Sequence, residues 1–216
     1  MIYGNFVRRF WIAGLALLAP VLVACTSYGE PSKGFIDPLL MQVYIPLYHD
    51  NGFSHRAAAA TMVAPNIAVT NDHNLDFIPA AHVLVRSHDY DLLFFRTDVS
   101  LMPVIGRPHV GDEAIAYGQG ADQSLREASG KVLGFDPAVP VDASKRPPQP
   151  AFVYAAKGGP GFSGGPVVDA KTGAILGVTF AYWDAKDGTY MYAYDIGLVM
   201  AEMHRLLDTA AMRPSP

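Results

Sequence analysis

Short apolar segments separated by polar turns follow one another along most of the chain. Most are rich in Val, Ile, Phe, Tyr or Thr, the residues that favour strands. The segments lie at 41–47, 57–63, 67–70, 82–86, 92–96, 114–118, 131–135, 152–155, 166–169, 175–182 and 190–194. The loops at 169–173 and 184–188 each end in a glycine, which can take the positive φ that a tight hairpin needs. Many short strands joined by tight turns predict an all-β sandwich or barrels.

One segment near the C-terminus has the period of a helix. Its apolar residues share one face, and they are Ile196, Val199, Met200, Met203 and Leu207. Asp195 precedes them and can cap the first turn. The pattern predicts a closing α-helix over 196–208, with the apolar stripe packed against the sheets.

Composition and charge narrow the class of protein. Half of the 216 residues are hydrophobic and 17% are charged, so the chain can bury a core and is not largely disordered. The formal net charge is −4, and Lys and Arg occur in no run longer than a pair. Without a basic patch there is no electrostatic footprint for a nucleic acid partner, and we expect none.

The cysteine and histidine patterns indicate no metal or other cofactor. The chain has a single cysteine, Cys25, which excludes an intramolecular disulfide and a CxxC site. None of the seven histidines lies in an HExxH motif or another ligand spacing. We therefore expect packing alone to hold the fold together.

The N-terminal 24 residues have the pattern of a targeting segment. Arg8 and Arg9 precede fifteen uncharged residues, a length suited to a signal peptide and short for a membrane-spanning helix. The segment ends in Leu-Val-Ala followed by Cys25, which resembles the lipobox of bacterial lipoproteins, and Thr26 after it resembles an outer-membrane sorting choice. An ordinary signal peptide or a plain N-terminal anchor is the alternative.

This resemblance implies a cellular location for the protein. It implies a signal peptide over 1–24, lipidation of Cys25 and attachment of the chain to a lipid membrane. Residues 25–34 are mostly Ser, Gly, Pro and charged, as expected of a tether. The expected location is the bacterial cell envelope, at the outer membrane or the periplasmic face.

The strongest chemical signal surrounds Ser163, in the segment 159–168 (GPGFSGGPVV). Gly161 and two glycines after the serine let backbone amides turn towards one point, so the N–H groups of Gly161 and Ser163 can form an oxyanion hole. The letters also satisfy the G-x-S-x-G motif of α/β-hydrolases. That motif requires a helix and then Asp and His after the serine, whereas a hairpin follows here and the only later histidine is His204.

Two upstream segments carry a family resemblance. Residues 61–73 (TMVAPNIAVTNDH) resemble the strand-turn-strand-TxxH segment of trypsin-like, chymotrypsin-fold serine peptidases, and 89–95 (DYDLLFF) resembles the strand led by an aspartate in that family. Further similarity lies at 110–118, 129–134, 174–178 and 192–196, so the resemblance spans roughly 57–207. The order His, Asp, Ser is the family's.

The resemblance implies a catalytic triad of His73, Asp91 and Ser163. A serine hydroxyl is a poor nucleophile without help, so His73 would take its proton and Asp91 would orient the imidazole. The spacing from His73 to Asp91 is 18 residues (91 − 73), which is short and predicts a reduced hairpin in the first barrel. Asp89 is therefore an alternative to Asp91.

Three further positions bear on regulation and specificity. Phe162 occupies the place where animal digestive members have an Asp that pairs with a new N-terminus, so no activation cleavage is expected. The Asp72 carboxylate, directly before His73, either favours a positive charge on the His73 imidazole or faces water. Lys157 aligns with the primary specificity position and hints at acidic side chains in the substrate.

Together these features predict two six-stranded-type antiparallel β-barrels, chymotrypsin-like, with a C-terminal helix. The peptidase domain is expected over 35–208, with barrels at about 35–110 and 111–195, a helix at 196–208 and a tail at 209–216. The expected activity is that of a serine endopeptidase acting on a protein or peptide substrate. The alternatives are a catalytically silent lipoprotein of the same fold that binds proteins, and an esterase using the same nucleophile.

Overall fold

The computed structural model describes residues 28–32, 43–50, 55–140 and 146–212. The predicted signal peptide and Cys25 lie outside these residues. Within the described ranges, no helix combines the length and the apolar character needed to cross a bilayer.

The first sheet has five strands among the described residues, each paired antiparallel with its neighbours. They are β2 (Tyr44–Asp50), β3 (His55–Ala64), β4 (Ile67–Thr70), β5 (Val83–Arg86) and β6 (Leu93–Arg96), in the order β2-β3-β4-β6-β5. Two short 3-10 helices, Asp72–Phe77 and Ala80–His82, link β4 to β5. The chain between His73 and Asp91 thus contains one strand, β5, besides the two 3-10 helices, as expected of a reduced hairpin.

The second sheet closes on itself as a barrel. Its six main strands are β7 (Glu113–Gln119), β8 (Leu125–Val139), β9 (Gln149–Ala155), β10 (Pro166–Asp169), β11 (Ile175–Ala185) and β12 (Gly188–Asp195). The order is β8-β7-β10-β11-β12-β9, and β9 pairs back onto the long β8, which completes the ring. The all-β prediction of two antiparallel barrels is therefore confirmed, with five strands described in the first and six in the second.

A short strand, β1 (Glu30–Pro31), adds to the outer part of β8, opposite Arg126 and Glu127. Two residues of the segment expected to be a tether, 25–34, thus form a strand. The extended backbone finds ladder partners on β8, and Ser32 adds a side-chain hydrogen bond to Glu127 at 3.0 Å.

One apolar cluster joins the two barrels and the helix. It includes Met62 and Phe94 from the first sheet, Val178 and Tyr194 from the second, and Val199 from the helix, all fully buried. Burying a side chain of this size contributes roughly 1.5–3 kcal/mol, so the shared cluster strongly favours a single docked arrangement of the barrels. A second cluster fills the interior of the second barrel.

The helix α1 (Ile196–Ala211) begins where the sequence predicts. The Asp195 carboxylate accepts a hydrogen bond from the Gly197 amide at 2.6 Å, and Val199 and Met203 are buried. The helix extends to residue 211, three residues beyond the predicted end at 208 (211 − 208) and into the predicted tail.

Candidate active site

Neighbouring strands bring His73 and Asp91 side by side. Strands β4 and β6 are antiparallel, with Thr70 at the end of β4 opposite Leu93 at the start of β6. The residues just after β4 and just before β6 therefore lie at the same end of the strand pair. His73 Nδ1 lies 2.6 Å from Asp91 Oδ2, and the His73 amide donates to Asp91 Oδ1 at 3.1 Å. A carboxylate only accepts, so Nδ1 carries the proton and Nε2 is left free to accept one.

Asp91 is held in a polar niche at the barrel interface. Its side chain is 13% exposed, whereas that of His73 is 49% exposed. Its amide donates to the Tyr194 hydroxyl at 3.0 Å, and Arg146 Nε lies 3.6 Å from Oδ1. Burial by itself raises the pKa of Asp91, but the hydrogen bonds and charge of His73 together with the charge of Arg146 outweigh it and leave the pKa lowered. Asp91 is therefore ionised at neutral pH.

Asp89, the alternative acid, points elsewhere. Its carboxylate pairs with Arg205 of helix α1 at 3.3 Å, and its side chain is 68% exposed. Ser87 Oγ accepts hydrogen bonds from the amides of Asp89 and Tyr90, which turns the chain between the two aspartates. The structure thus places Asp91, and not Asp89, against His73.

The backbone of Ser163 is held by the first barrel. Its carbonyl accepts hydrogen bonds from the Ala59 amide at 3.0 Å and from Asn74 Nδ2 at 3.2 Å. The next residue, Gly164, donates to the Thr179 carbonyl at 2.8 Å in the second barrel. Ser163 therefore lies where the barrels meet, on a loop that leads into β10.

The last contact of a triad is not formed in this state. Over the ranges that the structure describes, no hydrogen bond joins Ser163 Oγ to His73. Such contacts are often long without substrate and tighten only in the bound complex. The predicted triad residues are brought to one edge of the barrel interface, with the His73–Asp91 half assembled.

Glycine is required at two positions beside Ser163. Gly161 has φ +93°, and a Cβ there would lie 2.1 Å from the Gln119 carbonyl oxygen. Gly164 has φ +83°, and its Cβ would lie 2.1 Å from the Ala59 carbonyl oxygen. Both clashes are with backbone, so neither can be relieved by a side-chain rotation.

The two predicted oxyanion amides have no partner among the described residues. The amides of Phe162, Gly164 and Gly165 are used within the loop or by β11. The amides of Gly161 and Ser163 donate to nothing in the described part of the chain. Two free amides next to a serine hydroxyl are what stabilisation of a developing oxyanion requires.

Phe162 anchors this loop in the second barrel. Its side chain is 1% exposed and belongs to the apolar cluster of that barrel. It lies so close to two glycines that a Cβ would be 2.7 Å from it at Gly118 and 2.6 Å from it at Gly29. Phe162 thus makes apolar contacts at the position where animal digestive members of the family have an Asp.

Tyr28 also packs behind the serine loop, a contact that the sequence did not predict. The Tyr28 ring lies against Gly159, where a Cβ would be 2.3 Å from its Cδ1, and its centroid is 5.6 Å from that of Tyr182. The one signal was an aromatic residue within an otherwise small and polar stretch.

Lys157 lines a surface cavity. It is exposed and lines a cavity of about 600 Å³ together with Gly29, Glu30, Glu127 and Thr189, and no residue of the predicted triad lines that cavity. The specificity for acidic side chains stays a prediction.

Asp72 is neither solvated nor in contact with the imidazole. It is 9% exposed, forms a two-pronged pair with Arg86 at 2.5 and 2.9 Å, and also binds Arg146. Neither arginine contact was predicted from the sequence. Among the described residues, no group of three or more His, Cys, Asp or Glu side chains is arranged to hold a metal.

Solved structures share this fold at low sequence identity. The Rv3671c protease from M. tuberculosis, active form, matches with a TM-score of 0.61 and 16% identity, over 87% of this chain and 90% of that chain. The MamO protease domain from Magnetospirillum magneticum matches with a TM-score of 0.58 and 14% identity, over 76% and 97%. The HtrA-type protease AlgW with tripeptide matches with a TM-score of 0.59 and 17% identity, over 78% of this chain but only 61% of that chain.

Sequence comparisons identify the family. Comparison with curated proteins finds no match. Residues 55–178 match the family model described as a trypsin-like peptidase domain. Since this match covers more than half of the chain and the barrels carry the expected fold, the chain belongs to the family of trypsin-like peptidase domains.

Proposed function

We propose that this protein is a serine endopeptidase that cleaves peptide bonds through an acyl-enzyme at Ser163. The observation that carries the proposal is the doubly hydrogen-bonded His73–Asp91 pair, beside a serine loop with two free amides. Membership of a peptidase family supports the reaction class.

In the proposed reaction Ser163 Oγ attacks the substrate carbonyl carbon and gives its proton to His73 Nε2. The Asp91 carboxylate keeps the imidazole in the tautomer that can accept and stabilises the imidazolium that forms. His73 then protonates the leaving amine, and the C–N bond breaks to leave an ester on Ser163. Water, activated by His73, hydrolyses this ester and releases the acid product.

The amides of Gly161 and Ser163 would bind the oxyanion of each tetrahedral intermediate. They are preorganised, because the left-handed φ of Gly161 and the buried Phe162 anchor set the loop before substrate arrives. Removing one such donor lowers rate by about 10²–10³-fold in other enzymes of this type.

A fluorophosphonate probe tests the proposal, because it reacts only with an activated serine. We expect the full-length chain to be labelled, and Ser163→Ala and His73→Ala to lose labelling. Cleavage of an unfolded protein substrate with the same dependence on Ser163 would extend the result to peptide bonds. A folded wild type that is not labelled would contradict the proposal.

A binding platform of the same fold is the second candidate. It is favoured by one observation, the lack of a hydrogen bond between Ser163 Oγ and His73 in the described chain. Such a protein would leave the probe unreacted and would bind partners equally well as Ser163→Ala. An esterase would be labelled too, and it is distinguished by turning over esters but not the matching amides.

We further propose that Cys25 is lipidated and anchors the protein in the bacterial cell envelope. The proposal rests on the lipobox-like sequence, the single cysteine and the close start of the fold at β1. Metabolic labelling with a fatty acid analogue tests it. Incorporation into the wild type and not into Cys25→Ser is expected, and incorporation into both would contradict it.

A further inference from the structure

Arg146 reaches from the second barrel into the part of the first that carries Asp91. Its side chain is 17% exposed. Nη1 donates to the carbonyls of Tyr90 at 2.9 Å and Ser87 at 3.3 Å, Nη2 binds Asp72, and Nε lies 3.6 Å from Asp91 Oδ1. One guanidinium therefore contacts four residues of the first barrel.

These contacts hold both sides of the proposed acid–base pair. Tyr90 is adjacent to Asp91, and Asp72 is adjacent to His73. The guanidinium is planar with donors in a fixed fork, so it can satisfy carbonyls and carboxylates in several directions at once, which a lysine ammonium does less well. A largely buried charge must also be paired, and the two aspartates meet that need.

We propose that Arg146 is a positioning residue for the Ser163 reaction. Its guanidinium aligns Asp91 and His73 through hydrogen bonds. Its positive charge weakens the electrostatic stabilisation that Asp91 gives to the His73 imidazolium. The inference rests on the proposed function and adds to it a residue outside the triad.

The charges around Asp91 come from four elements. His73 faces it from the 3-10 helix, Arg146 from the segment before β9, and the Tyr194 hydroxyl from β12. Asp72 acts through Arg146, and Arg86 of β5 acts through Asp72. Burial holds the pKa of Tyr194 well above its usual value, so this hydroxyl stays neutral. Arg146 is therefore the cation that opposes Asp91 besides any charge on His73.

Removing this cation makes the field of Asp91 at the imidazole more negative. Imidazolium is then favoured, and the histidine becomes available as a base only at higher pH. Arg146→Gln removes both the fork and the charge, whereas Arg146→Lys removes the fork and keeps the charge. Arg126→Gln is the matched control, since Arg126 is also largely buried and paired with a carboxylate, that of Asp122, and no hydrogen bond or ion pair among the described residues joins it to Asp72 or Asp91.

The test is the rate of fluorophosphonate labelling as a function of pH, with thermal unfolding measured on each variant. Arg146→Gln is expected to lower the plateau rate on the order of tenfold or more, the scale of a misplaced catalytic group, and to move the midpoint to higher pH. Arg146→Lys should lower the plateau and keep the wild-type midpoint. Arg126→Gln should keep both the wild-type plateau and the wild-type midpoint.

The following results would overturn the inference. A labelled wild type with an unchanged midpoint in Arg146→Gln would mean that the arginine has a merely structural role. If Arg146→Gln does not fold, a wild-type plateau in Arg146→Lys overturns the inference. An unlabelled, folded wild type overturns the proposed function itself, and with it this inference.

Discussion

The carbonyl oxygen of Ser163 accepts a hydrogen bond from the side chain of Asn74, at 3.2 Å. Asn74 directly follows His73. This hydrogen bond therefore links the backbone of the proposed nucleophile to the segment that carries the proposed base, and it does not involve Ser163 Oγ or the imidazole. The same amide group also donates to Thr70 Oγ1 at 3.0 Å, and Asn74 is buried.

We expect Asn74→Ala to weaken both stability and labelling. Thr70 Oγ1 and the Ser163 carbonyl each lose one donor, and the loss of a hydrogen bond destabilises a fold by about 0.5–1.5 kcal/mol. Urea unfolding and the probe rate measure the two effects. Ser124→Ala is the control, because it removes an exposed side-chain hydrogen bond to Asp122. Equal behaviour of the two variants would show that the Asn74 link is unimportant.

Asp91→Asn should reduce the labelling rate by up to roughly 10⁴-fold, the loss known for the equivalent change in a serine protease triad. An asparagine amide leaves the imidazole in the tautomer that cannot accept the serine proton. Asp89→Asn is two residues away, pairs only at the surface with Arg205, and should keep the wild-type rate. The opposite ranking would make Asp89 the functional acid.

Gly161→Ala should lower the labelling rate by at least about a hundredfold, as expected when an oxyanion donor is displaced. The added Cβ would lie 2.1 Å from the Gln119 carbonyl oxygen, so the loop must move. Gly173→Ala separates this clash from backbone strain, because Gly173 also has a positive φ (+70°) but has open space around its Cβ position. It should be destabilised by about 1–2 kcal/mol and label normally. Equal labelling of the two variants would contradict the oxyanion assignment.

Protonation of Asp91 should lower the stability of the fold at acidic pH. Burial opposes ionisation, but the contacts of His73 and Arg146 leave its pKa below the usual value, so the ionised form is favoured by folding. That contribution is present above the unfolded carboxyl value of about 4 and is lost as pH falls through the folded value. Denaturant unfolding at pH 6 and at lower pH should therefore show a smaller acid-induced loss for Asp91→Asn than for the wild type. Parallel losses would contradict the assignment.

The Tyr28 ring should matter for the serine loop. Tyr28→Ala removes the contact with Gly159 and Tyr182, and we expect a lower labelling rate because the loop loses support from behind. Tyr28→Phe keeps the ring and should retain most of the rate. If the alanine variant labels as fast as the phenylalanine variant, the Tyr28 ring has no role in the site.

Much of this protein can be predicted from short stretches of its sequence. The alternation of apolar strands and turns predicts the barrels, the spacing from Ile196 to Leu207 predicts the helix, and the residues next to Ser163 predict the glycine loop. These features depend on neighbours within a few positions, since side-chain period and turn chemistry are local properties. The order of His73, Asp91 and Ser163 likewise needed no structure.

Other features were decided by the tertiary structure alone. Asp89 and Asp91 differ by two positions and would share one face of a strand, so only the turn made by Ser87 and the pairing with Arg205 separates them. No local pattern signals the contact of Arg146 with Asp91, and Tyr28 lies in the segment expected to be a tether, yet it packs against Gly159. Local sequence determines which residues form strands, turns and the serine loop, whereas contacts between distant side chains exist only once the two barrels have closed on each other.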